Sequence, residues 1–352
     1  MAIFKISIQQ LIQQPAEYPV LDVRSPGEYK HAHLPGAYSL PLFSDEERKV
    51  VGTAYKQQGK QQAIKLGLAC FGPKMVAMVE EAERIVSQHT GANRQDKVSR
   101  TVVVHCWRGG MRSAGVSWLL DLYGFNVYTL TGGYKSFRRW CVQQFEKAYP
   151  FSILGGFTGS GKTRILHALK ARGQAVLDLE SLAMHKGSVF GHLGQPMQPT
   201  QEMFENRLAL ALTDLEMESL IWLEDESQRI GSVNIPIVLY RHMQCRPVFF
   251  LDIPFEERLK HIIEGYGQFE KEKIADGIAR IRKRLGGLET KTALAQLAEG
   301  DLAACFRILL RYYDKYYLKS LDKKQDPLAR IRTLPCTNTD AVINADMLLS
   351  LR

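Results

Sequence analysis

Residues 156–163 read Gly-Phe-Thr-Gly-Ser-Gly-Lys-Thr, which matches the G-x-x-x-x-G-K-[ST] pattern of phosphate-binding loops. An apolar stretch at residues 151–155 predicts a short buried strand before it, and residues 162–172 show the apolar spacing of a helix. In that setting backbone N–H groups surround an anion at the helix N-terminus, Lys162 adds a positive charge, and the Thr163 hydroxyl can bind Mg²⁺. The predicted phosphate ligands are Gly156, Thr158, Gly159, Ser160, Gly161, Lys162 and Thr163.

A second group with chemical potential follows an apolar strand predicted at residues 101–105. Cys106 stands at the end of that strand, and a glycine-containing loop after it leads into a predicted helix. Backbone N–H groups at a helix N-terminus and the cation of Arg112 can stabilise a thiolate, the nucleophilic form of cysteine. We predict that Cys106 is reactive and that Arg112 helps to hold an anion beside it; the alternative is a buried structural cysteine. The other five cysteines form no C-x-x-C pair and are expected to be structural free thiols.

Carboxylates follow two further predicted strands, at residues 175–180 and 220–224. Ligands of open α/β sheets bind beyond the carboxyl ends of the strands, where a carboxylate can orient Mg²⁺ or a water near the phosphate loop. The alternative is that these carboxylates pair with nearby Lys or Arg side chains. The candidates are Asp178, Glu224 and Asp225, with Glu180, His185 and Arg229 in a second rank on position alone.

The chain that must position these groups has 352 residues, of which 45% are hydrophobic and 24% charged, as in globular proteins of two or three domains. It shows no apolar run of membrane-spanning length and no signal peptide, so we expect a cytoplasmic protein without membrane contact. The formal net charge is +9, and residues 280–332 contain thirteen Lys and Arg against six Asp and Glu. This excess predicts either a polyanionic partner such as nucleic acid or a solvated helical surface.

Two α/β domains with a boundary near Pro150 are predicted. Residues 1–148 alternate short strands, among them 19–24 and 38–42, with helices, and a helical insertion at about 44–100 interrupts them. Residues 149–352 repeat strand–helix units around the phosphate loop, which predicts a mostly parallel sheet. Within the insertion, apolar residues at helical spacing are expected to face the core. They are Met75, Met78, Val79, Ala82 and Val86.

The second domain is expected to contain a helix at residues 200–219, a strand at 248–254 and a basic helical extension at about 265–330. Four tyrosines of the extension lie among Arg and Lys residues, where they could stack on bases or pack as a helix face. These are Tyr312, Tyr313, Tyr316 and Tyr317.

The first domain resembles the rhodanese family. The resemblance is carried by Leu-Asp-Val-Arg-Ser-Pro-Gly-Glu-Tyr at residues 21–29, His-Leu-Pro-Gly-Ala at 33–37, Val-His-Cys at 104–106 and Leu-Thr-Gly-Gly-Tyr at 130–134. Two departures are the insertion and the position of Arg112, which follows Cys106 by six residues, one more than in the commonest sulfurtransferase loops. Phosphatases of this fold use a longer loop to fit phosphate, and such a loop could also fit selenium.

A rhodanese-like domain followed by a phosphate-loop domain resembles the tRNA 2-selenouridine synthases over nearly the whole chain. Further matching segments are Gly-Thr-Ala-Tyr-Lys-Gln-Gln-Gly at residues 52–59, Asp-Leu-Glu-Ser-Leu-Ala-Met-His-Lys-Gly-Ser at 178–188 and Leu-Glu-Asp-Glu-Ser at 223–227. The resemblance implies a transferase that uses selenophosphate to replace sulfur by selenium in 2-thiouridine at the tRNA wobble position. It also implies an S-geranylated uridine, made from geranyl diphosphate, as the intermediate.

On this resemblance Cys106 would carry selenium as a Cys–Se species, while Arg112 and loop N–H groups hold selenophosphate. The phosphate loop would bind the diphosphate of the prenyl donor with the help of Mg²⁺. The expected tRNA contacts are Lys56, Arg282, Lys283 and Arg284. An enzyme that supplies selenophosphate is a further candidate partner. Two alternatives are a rhodanese-type sulfurtransferase or phosphatase fused to a small-molecule kinase, and a tRNA-binding module without catalysis.

Overall fold

The computed structural model describes residues 3–13, 18–90, 100–215, 220–321 and 331–351. The chain forms two compact units, Met1–Gln143 and Gln144–Arg352. No helix within the described ranges is long and apolar enough to span a membrane.

The first unit contains a five-stranded sheet flanked by helices. Its strands are β1 (Phe4–Ile6), β2 (Val20–Asp22), β3 (Tyr38–Ser39), β4 (Thr101–His105) and β5 (Asn126–Leu130). Its helices are α1 (Ile8–Gln13), α2 (Pro26–His31), α3 (Asp45–Gln57), α4 (Lys60–Phe71), α5 (Met75–Thr90), α6 (Met111–Tyr123) and α7 (Gly133–Phe145), with a 3₁₀ turn at Gly72–Lys74. All strand pairs are parallel, in the order β1-β5-β4-β2-β3. The fully buried β4 lies at the centre and delivers the residue after it, Cys106, to the carboxyl edge of the sheet.

The insertion forms α3, α4 and α5. Helix α3 begins at a capping box in which Ser44 Oγ accepts the Glu47 N–H and the Glu47 carboxylate accepts the Ser44 N–H, at 3.2 and 2.8 Å. The predicted core-facing stripe of α5 is confirmed, because four of its five residues are buried against β4 and α6 and Met75 packs half-buried beside them. The insertion therefore supplies part of the core behind Cys106.

The second unit also contains a five-stranded parallel sheet, in the order β12-β11-β6-β8-β7. Its strands are β6 (Phe151–Gly156), β7 (Ala175–Leu177), β8 (Ile221–Glu224), β11 (Val248–Asp252) and β12 (Ile331–Pro335), and a separate antiparallel pair is formed by β9 (Arg229–Ile230) and β10 (Val233–Asn234). Its helices are α8 (Lys162–Ala171), α9 (Leu179–Ala183), α10 (Gln201–Thr213), α11 (Ile237–Gln244), α12 (Phe255–Tyr266), α13 (Lys271–Leu285), α14 (Gly287–Glu299), α15 (Leu302–Leu321) and α16 (Ala341–Ser350). The predicted fold class is confirmed in both units.

Several predicted boundaries were wrong. The strand expected at residues 175–180 ends at Leu177, because the Asp178 carboxylate accepts the Ser181 N–H at 2.7 Å and starts α9. The strand at 38–42 covers only Tyr38–Ser39, and the one at 248–254 ends at Asp252, ahead of the proline that starts α12. The helix expected at 200–219 ends at Thr213, and residues 216–219 lie outside the described ranges.

Helices α12–α15, which include the basic helices α13 and α15, form an apolar cluster with Phe190 and Leu193, and the chain then returns to the sheet. Strand β12 pairs with β11 as the sheet edge, and α16 packs Ala345 and Leu348 against the apolar side of α8. Sequence reasoning missed both elements. Helices α12–α15 therefore lie, in sequence, between β11 and β12, which are neighbouring strands of the sheet.

Candidate active site

The first candidate site surrounds the Cys106 loop, defined as residues 106–113. Cys106 Sγ lies 3.4 Å from the Gly110 N–H nitrogen and 3.3 Å from Ser113 Oγ, and the residue is only 3% exposed. Gly110 is the N-cap of α6, so the sulfur sits at the positive end of that helix. Burial raises the pKa of Cys106, but hydrogen bonds from the Ser113 hydroxyl and from the N–H groups of Ser113, Arg108 and Gly110 outweigh it. The net pKa lies below the ordinary cysteine value, so this thiol forms a thiolate more readily than a free one.

The loop is held by the first residues of α7. The Tyr134 N–H donates to the Cys106 carbonyl at 2.9 Å, and a Cβ atom at Gly133 would lie 2.3 Å from that same oxygen. Gly133 also has a φ of +58°, so both its conformation and its surroundings require glycine. The backbone geometry around the sulfur is therefore fixed by close contacts.

Arg112 belongs to this loop, and its guanidinium pairs with the side chain of Glu28. Its guanidinium donates to both carboxylate oxygens of Glu28, at 2.7 and 3.4 Å, and Arg48 of the insertion pairs with the same carboxylate at 2.9 Å. Burial raises the pKa of Glu28, yet the hydrogen bonds and charge of Arg112, the Ser25 N–H and Arg48 lower it to about 2. Glu28 is thus a carboxylate at neutral pH that pairs with two guanidinium groups, those of Arg112 and Arg48.

Ser113 was not selected from the sequence, although a hydroxyl one residue after Arg112 was visible. Replacing Ser113 with alanine removes the hydroxyl that lowers the pKa of Cys106 most, so we expect that pKa to rise. Alkylation of Cys106 by iodoacetamide at neutral pH should slow roughly tenfold or more, since a hydrogen bond to a charged group contributes about 1.5–3 kcal/mol. The pH profile of alkylation, followed by mass spectrometry, should move to higher pH. Ser113→Thr keeps the hydroxyl and should keep the wild-type profile, whereas an unshifted alanine profile would contradict this role.

The second candidate site is the phosphate loop, residues 156–163, between β6 and α8. Lys162 Nζ donates to the Gly156 carbonyl at 2.9 Å, and Ser160 Oγ donates to the Phe157 carbonyl at 2.7 Å. Gly159 has a φ of +85°, and a Cβ there would lie 2.9 Å from the Arg258 carbonyl, so the loop passes too close to α12 for any other residue. All seven predicted phosphate ligands line one cavity of about 780 Å³.

Buried Arg258 of α12 holds this loop from behind. Its guanidinium donates to the Thr158 carbonyl at 3.1 Å, lies 4.8 Å from the centre of the Phe157 ring, and pairs with Asp314 of α15 at 2.8 and 2.9 Å. Helices α12 and α15 therefore help to shape the phosphate loop.

Three carboxyl groups line the cavity beside the loop. Glu180 accepts the Thr163 hydroxyl at 2.8 Å, and Asp225 accepts the Tyr317 hydroxyl at 2.7 Å. The third, Glu226, was not singled out from the sequence; the run of adjacent carboxylates gave no sign which side chain would face the cavity. Desolvation and the neighbouring Glu180 raise the pKa of Glu226 to about 8, and desolvation also raises that of Glu180. At neutral pH Glu226 is therefore protonated, and its O–H donates a hydrogen bond to the Glu180 carboxylate.

Four of the predicted acid, base or metal candidates lie outside the cavity lining. Asp178 caps α9 and contacts His167 Nε2 at 2.9 Å, and the fully buried Glu224 accepts the Leu179 N–H at 3.1 Å. Burial raises the pKa of Glu224 well above its usual range. His185 is buried against Gly191 and Gly231, while the exposed Arg229 of β9 donates to the Gly231 carbonyl at 2.8 Å.

The cavity residues also fit a magnesium ion. Mg²⁺ at a phosphate site needs only one or two carboxylates, because phosphate oxygens and waters complete its shell. The Thr163 hydroxyl and the Asp225 and Glu180 carboxylates provide such donors at the cavity wall. Among the residues that the structure describes, no cluster of three or more His, Cys, Asp or Glu side chains could hold a metal alone. The donor set therefore suits a metal held jointly with a bound phosphate group.

The four tyrosines of α15 divide between two faces. Tyr313 and Tyr317 line the cavity, where the Tyr313 hydroxyl accepts the Val189 N–H at 3.2 Å and the Tyr317 hydroxyl contacts Asp225. These two pack inward as part of the site. Tyr312 and Tyr316 have ring centres 4.7 Å apart, and Tyr316 is 38% exposed. The predicted tRNA contacts Lys56, Arg282, Lys283 and Arg284 are all exposed, the first on α3 and the others in the last turn of α13.

Comparison with known proteins links both sites to one family. Residues 149–333 match the family model described as the tRNA 2-selenouridine synthase AAA domain, and residues 7–139 match the rhodanese-like domain. A protein of Shewanella piezotolerans named tRNA 2-selenouridine synthase is 35% identical over 347 residues, covering 88% of this chain and 91% of that protein.

Two further relatives carry the same name. The Hydrogenovibrio crunogenus protein is 36% identical over 87% of this chain and 90% of its own length. The Nitrosomonas europaea protein is 38% identical over 71% of this chain and 64% of its own length. The chain therefore belongs to the tRNA 2-selenouridine synthase family, whose members are transferases that modify tRNA.

Proposed function

We propose that this protein replaces sulfur by selenium in 2-thiouridine at the tRNA wobble position, with selenophosphate as the selenium donor. The proposed intermediate is S-geranyl-2-thiouridine, made from geranyl diphosphate. The observation that carries the proposal is the combination, on one chain of this family, of a thiolate-stabilising loop and a phosphate loop that opens on a partly apolar cavity.

In the first step the sulfur of 2-thiouridine attacks C1 of geranyl diphosphate, the C1–O bond breaks, and diphosphate leaves. The base loses its N3 proton and becomes S-geranyl-2-thiouridine. The N–H groups of residues 156–163 and the Lys162 ammonium group stabilise the charge that grows on the departing diphosphate. Mg²⁺ bound by Thr163 and Asp225 would neutralise part of the same charge.

The cavity favours a prenyl donor over a nucleotide. Away from the phosphate loop its wall includes the side chain of Ile262 and the rings of Tyr266 and Tyr313, which offer a prenyl chain apolar contact. A nucleoside needs hydrogen-bonding partners for its base, whereas a geranyl chain needs apolar contact.

In the second step we propose that Cys106 displaces geranyl thiolate from C2 of the base. Selenium in selenophosphate is already fully reduced, so loading it on Cys106 as Cys–S–Se⁻ would require a two-electron oxidant. A route in which Cys106 does not carry selenium needs no oxidant. The Cys106 thiolate attacks C2 and expels geranyl thiolate, which takes up a proton; selenophosphate selenium then attacks C2 and expels the Cys106 thiolate. Hydrolysis of the P–Se bond releases phosphate and 2-selenouridine.

The pairing of Arg112 with Glu28 supports a changed role for Arg112. With Glu28 bound to its guanidinium, Arg112 orients the loop, and the N–H groups around Cys106 provide the positive potential for the selenophosphate anion.

The deciding experiment is mass analysis of the wobble uridine after incubating 2-thiouridine tRNA with each donor. Geranyl diphosphate alone should give the S-geranyl base, both donors together should give 2-selenouridine, and selenophosphate alone should leave the base unchanged. Selenouridine formed without geranyl diphosphate would remove the prenylated intermediate. A requirement for ATP with a phosphorylated product would favour the kinase alternative.

We propose that the basic helices bind tRNA phosphates. Neutralising Arg282, Lys283 and Arg284 together should weaken tRNA binding and reduce the slope of log affinity against log salt by roughly 0.7 to 0.9 per lost contact. Filter binding at several salt concentrations measures this slope. A control that neutralises three exposed cations outside the basic stretch should leave it unchanged, namely Lys30, Lys147 and Lys170. An unchanged slope in the first variant would make the α13 terminus a solvated surface.

A further inference from the structure

The rim of the Cys106 site carries large apolar side chains in contact with solvent. Trp107 directly follows the thiol and is 37% exposed, and Met111 of the same loop is 53% exposed. Large aromatic side chains usually bury most of their surface, and exposed ones next to a reactive group mark a surface that a ligand covers.

The indole of Trp107 is held in place from one side. The Trp107 carbonyl accepts the Lys135 N–H at 2.9 Å, and its ring centre lies 5.6 Å from that of Tyr134. Tyr134 is fully buried and is itself backed by the Arg24 guanidinium at 3.9 Å from its ring centre. The exposed part of the indole is thus a supported plane that needs little reorganisation to meet a ligand.

Two positively charged residues neighbour the Trp107 indole. Arg108, the next residue of the loop, and Lys135, at the start of α7, are both exposed. An aromatic plane beside cations is the arrangement with which proteins bind unstacked nucleobases and their phosphates. A geranyl chain would gain nothing from the two cations, so the charge favours a nucleotide as the occupant.

We propose that Trp107 stacks on the 2-thiouridine base of the tRNA and thereby presents its C2 atom to Cys106. This inference rests on the proposed function, in which Cys106 acts on that base. Stacking fixes the plane of the base, and the neighbouring cations hold the flanking phosphates. Trp107 is then a substrate-binding residue that determines which base reaches the thiol.

Three variants and two RNAs test the proposal. Trp107→Ala should lower the affinity for an anticodon stem-loop containing 2-thiouridine about 5- to 150-fold, since base stacking contributes roughly 1–3 kcal/mol. Trp107→Phe keeps a ring and should lose much less. Trp118→Ala removes a tryptophan of α6 that is 47% exposed and serves as the matched control with wild-type affinity. The iodoacetamide reactivity of Cys106 should stay unchanged in all three.

An abasic stem-loop at the wobble position separates stacking from indirect effects. Wild type should bind it more weakly than the intact RNA, and Trp107→Ala should bind both alike. Equal affinities of wild type and Trp107→Ala for the intact RNA would overturn the proposal, as would an equal loss in Trp107→Phe. So would an alanine effect that persists undiminished on the abasic RNA. These binding readouts need no turnover, so they stand even if wild type forms no selenouridine, which would defeat the proposed function alone.

Discussion

Cys106→Ser is expected to abolish selenium incorporation while S-geranyl-2-thiouridine still forms and tRNA affinity stays at the wild-type level. A serine hydroxyl in the same loop has a far higher pKa than the thiol, so the N–H groups and Ser113 that lower the pKa of Cys106 cannot ionise it at neutral pH. The prenyl step does not use this sulfur and should continue. Mass analysis of the wobble base, in the presence of both donors, should therefore show the geranylated base accumulating.

Cys245→Ser is a suitable control, because Cys245 is an exposed free cysteine in the second unit. It should give normal selenouridine. A normal yield from Cys106→Ser would rule out the thiol mechanism. Loss of geranylation in that variant would instead assign Cys106 to the first step.

Lys162→Ala is expected to lower the rate of 2-thiouridine geranylation roughly 10²- to 10³-fold, which is the usual effect of removing one charge-stabilising donor from a reacting site. The ammonium group of Lys162 stabilises charge that grows as the C1–O bond breaks, so its loss raises the barrier of that step. Neither step should consume ATP. Product formation from geranyl diphosphate, followed by mass spectrometry, measures the loss, and Lys170→Ala on the exposed side of α8 is the control.

A rescue experiment tests the Lys162→Ala prediction further. Supplying Lys162→Ala with tRNA that is already geranylated should restore selenation at least partly, because the thiol loop is unaltered. A failure of rescue with intact tRNA binding would mean that both steps share one pocket. Obligatory ATP turnover would contradict the diphosphate role of the phosphate loop.

The two loops could be predicted from sequence because their chemistry depends on local order. Glycines at fixed spacing between a strand and a helix leave few conformations for residues 156–163, and Cys106 follows the most apolar strand of its domain. The charged neighbours of Arg112 could not be predicted in the same way, since its partner Glu28, and Arg48 that pairs with Glu28, come from distant parts of the chain.

The local sequence could not predict which carboxylates face the cavity. Glu224, Asp225 and Glu226 are adjacent in sequence, yet the first is buried at the end of β8 and the other two line the cavity. Which of them faces the cavity depends on where the strand ends relative to its neighbours. The inward direction of Tyr313 and Tyr317 is likewise set by the packing of α15 on the site, while the sequence left open whether these tyrosines stack on bases or pack as a helix face.

Strand β12 was missed because five residues of mixed polarity after a basic segment resemble a loop. Its position has a consequence for biosynthesis. A ribosome makes β11 some eighty residues before β12, so the sheet edge stays open while all the basic helices emerge. Helix α8, which begins at Lys162, receives its α16 partner later still. The phosphate loop of a nascent chain thus acquires its final support only when synthesis has passed residue 348.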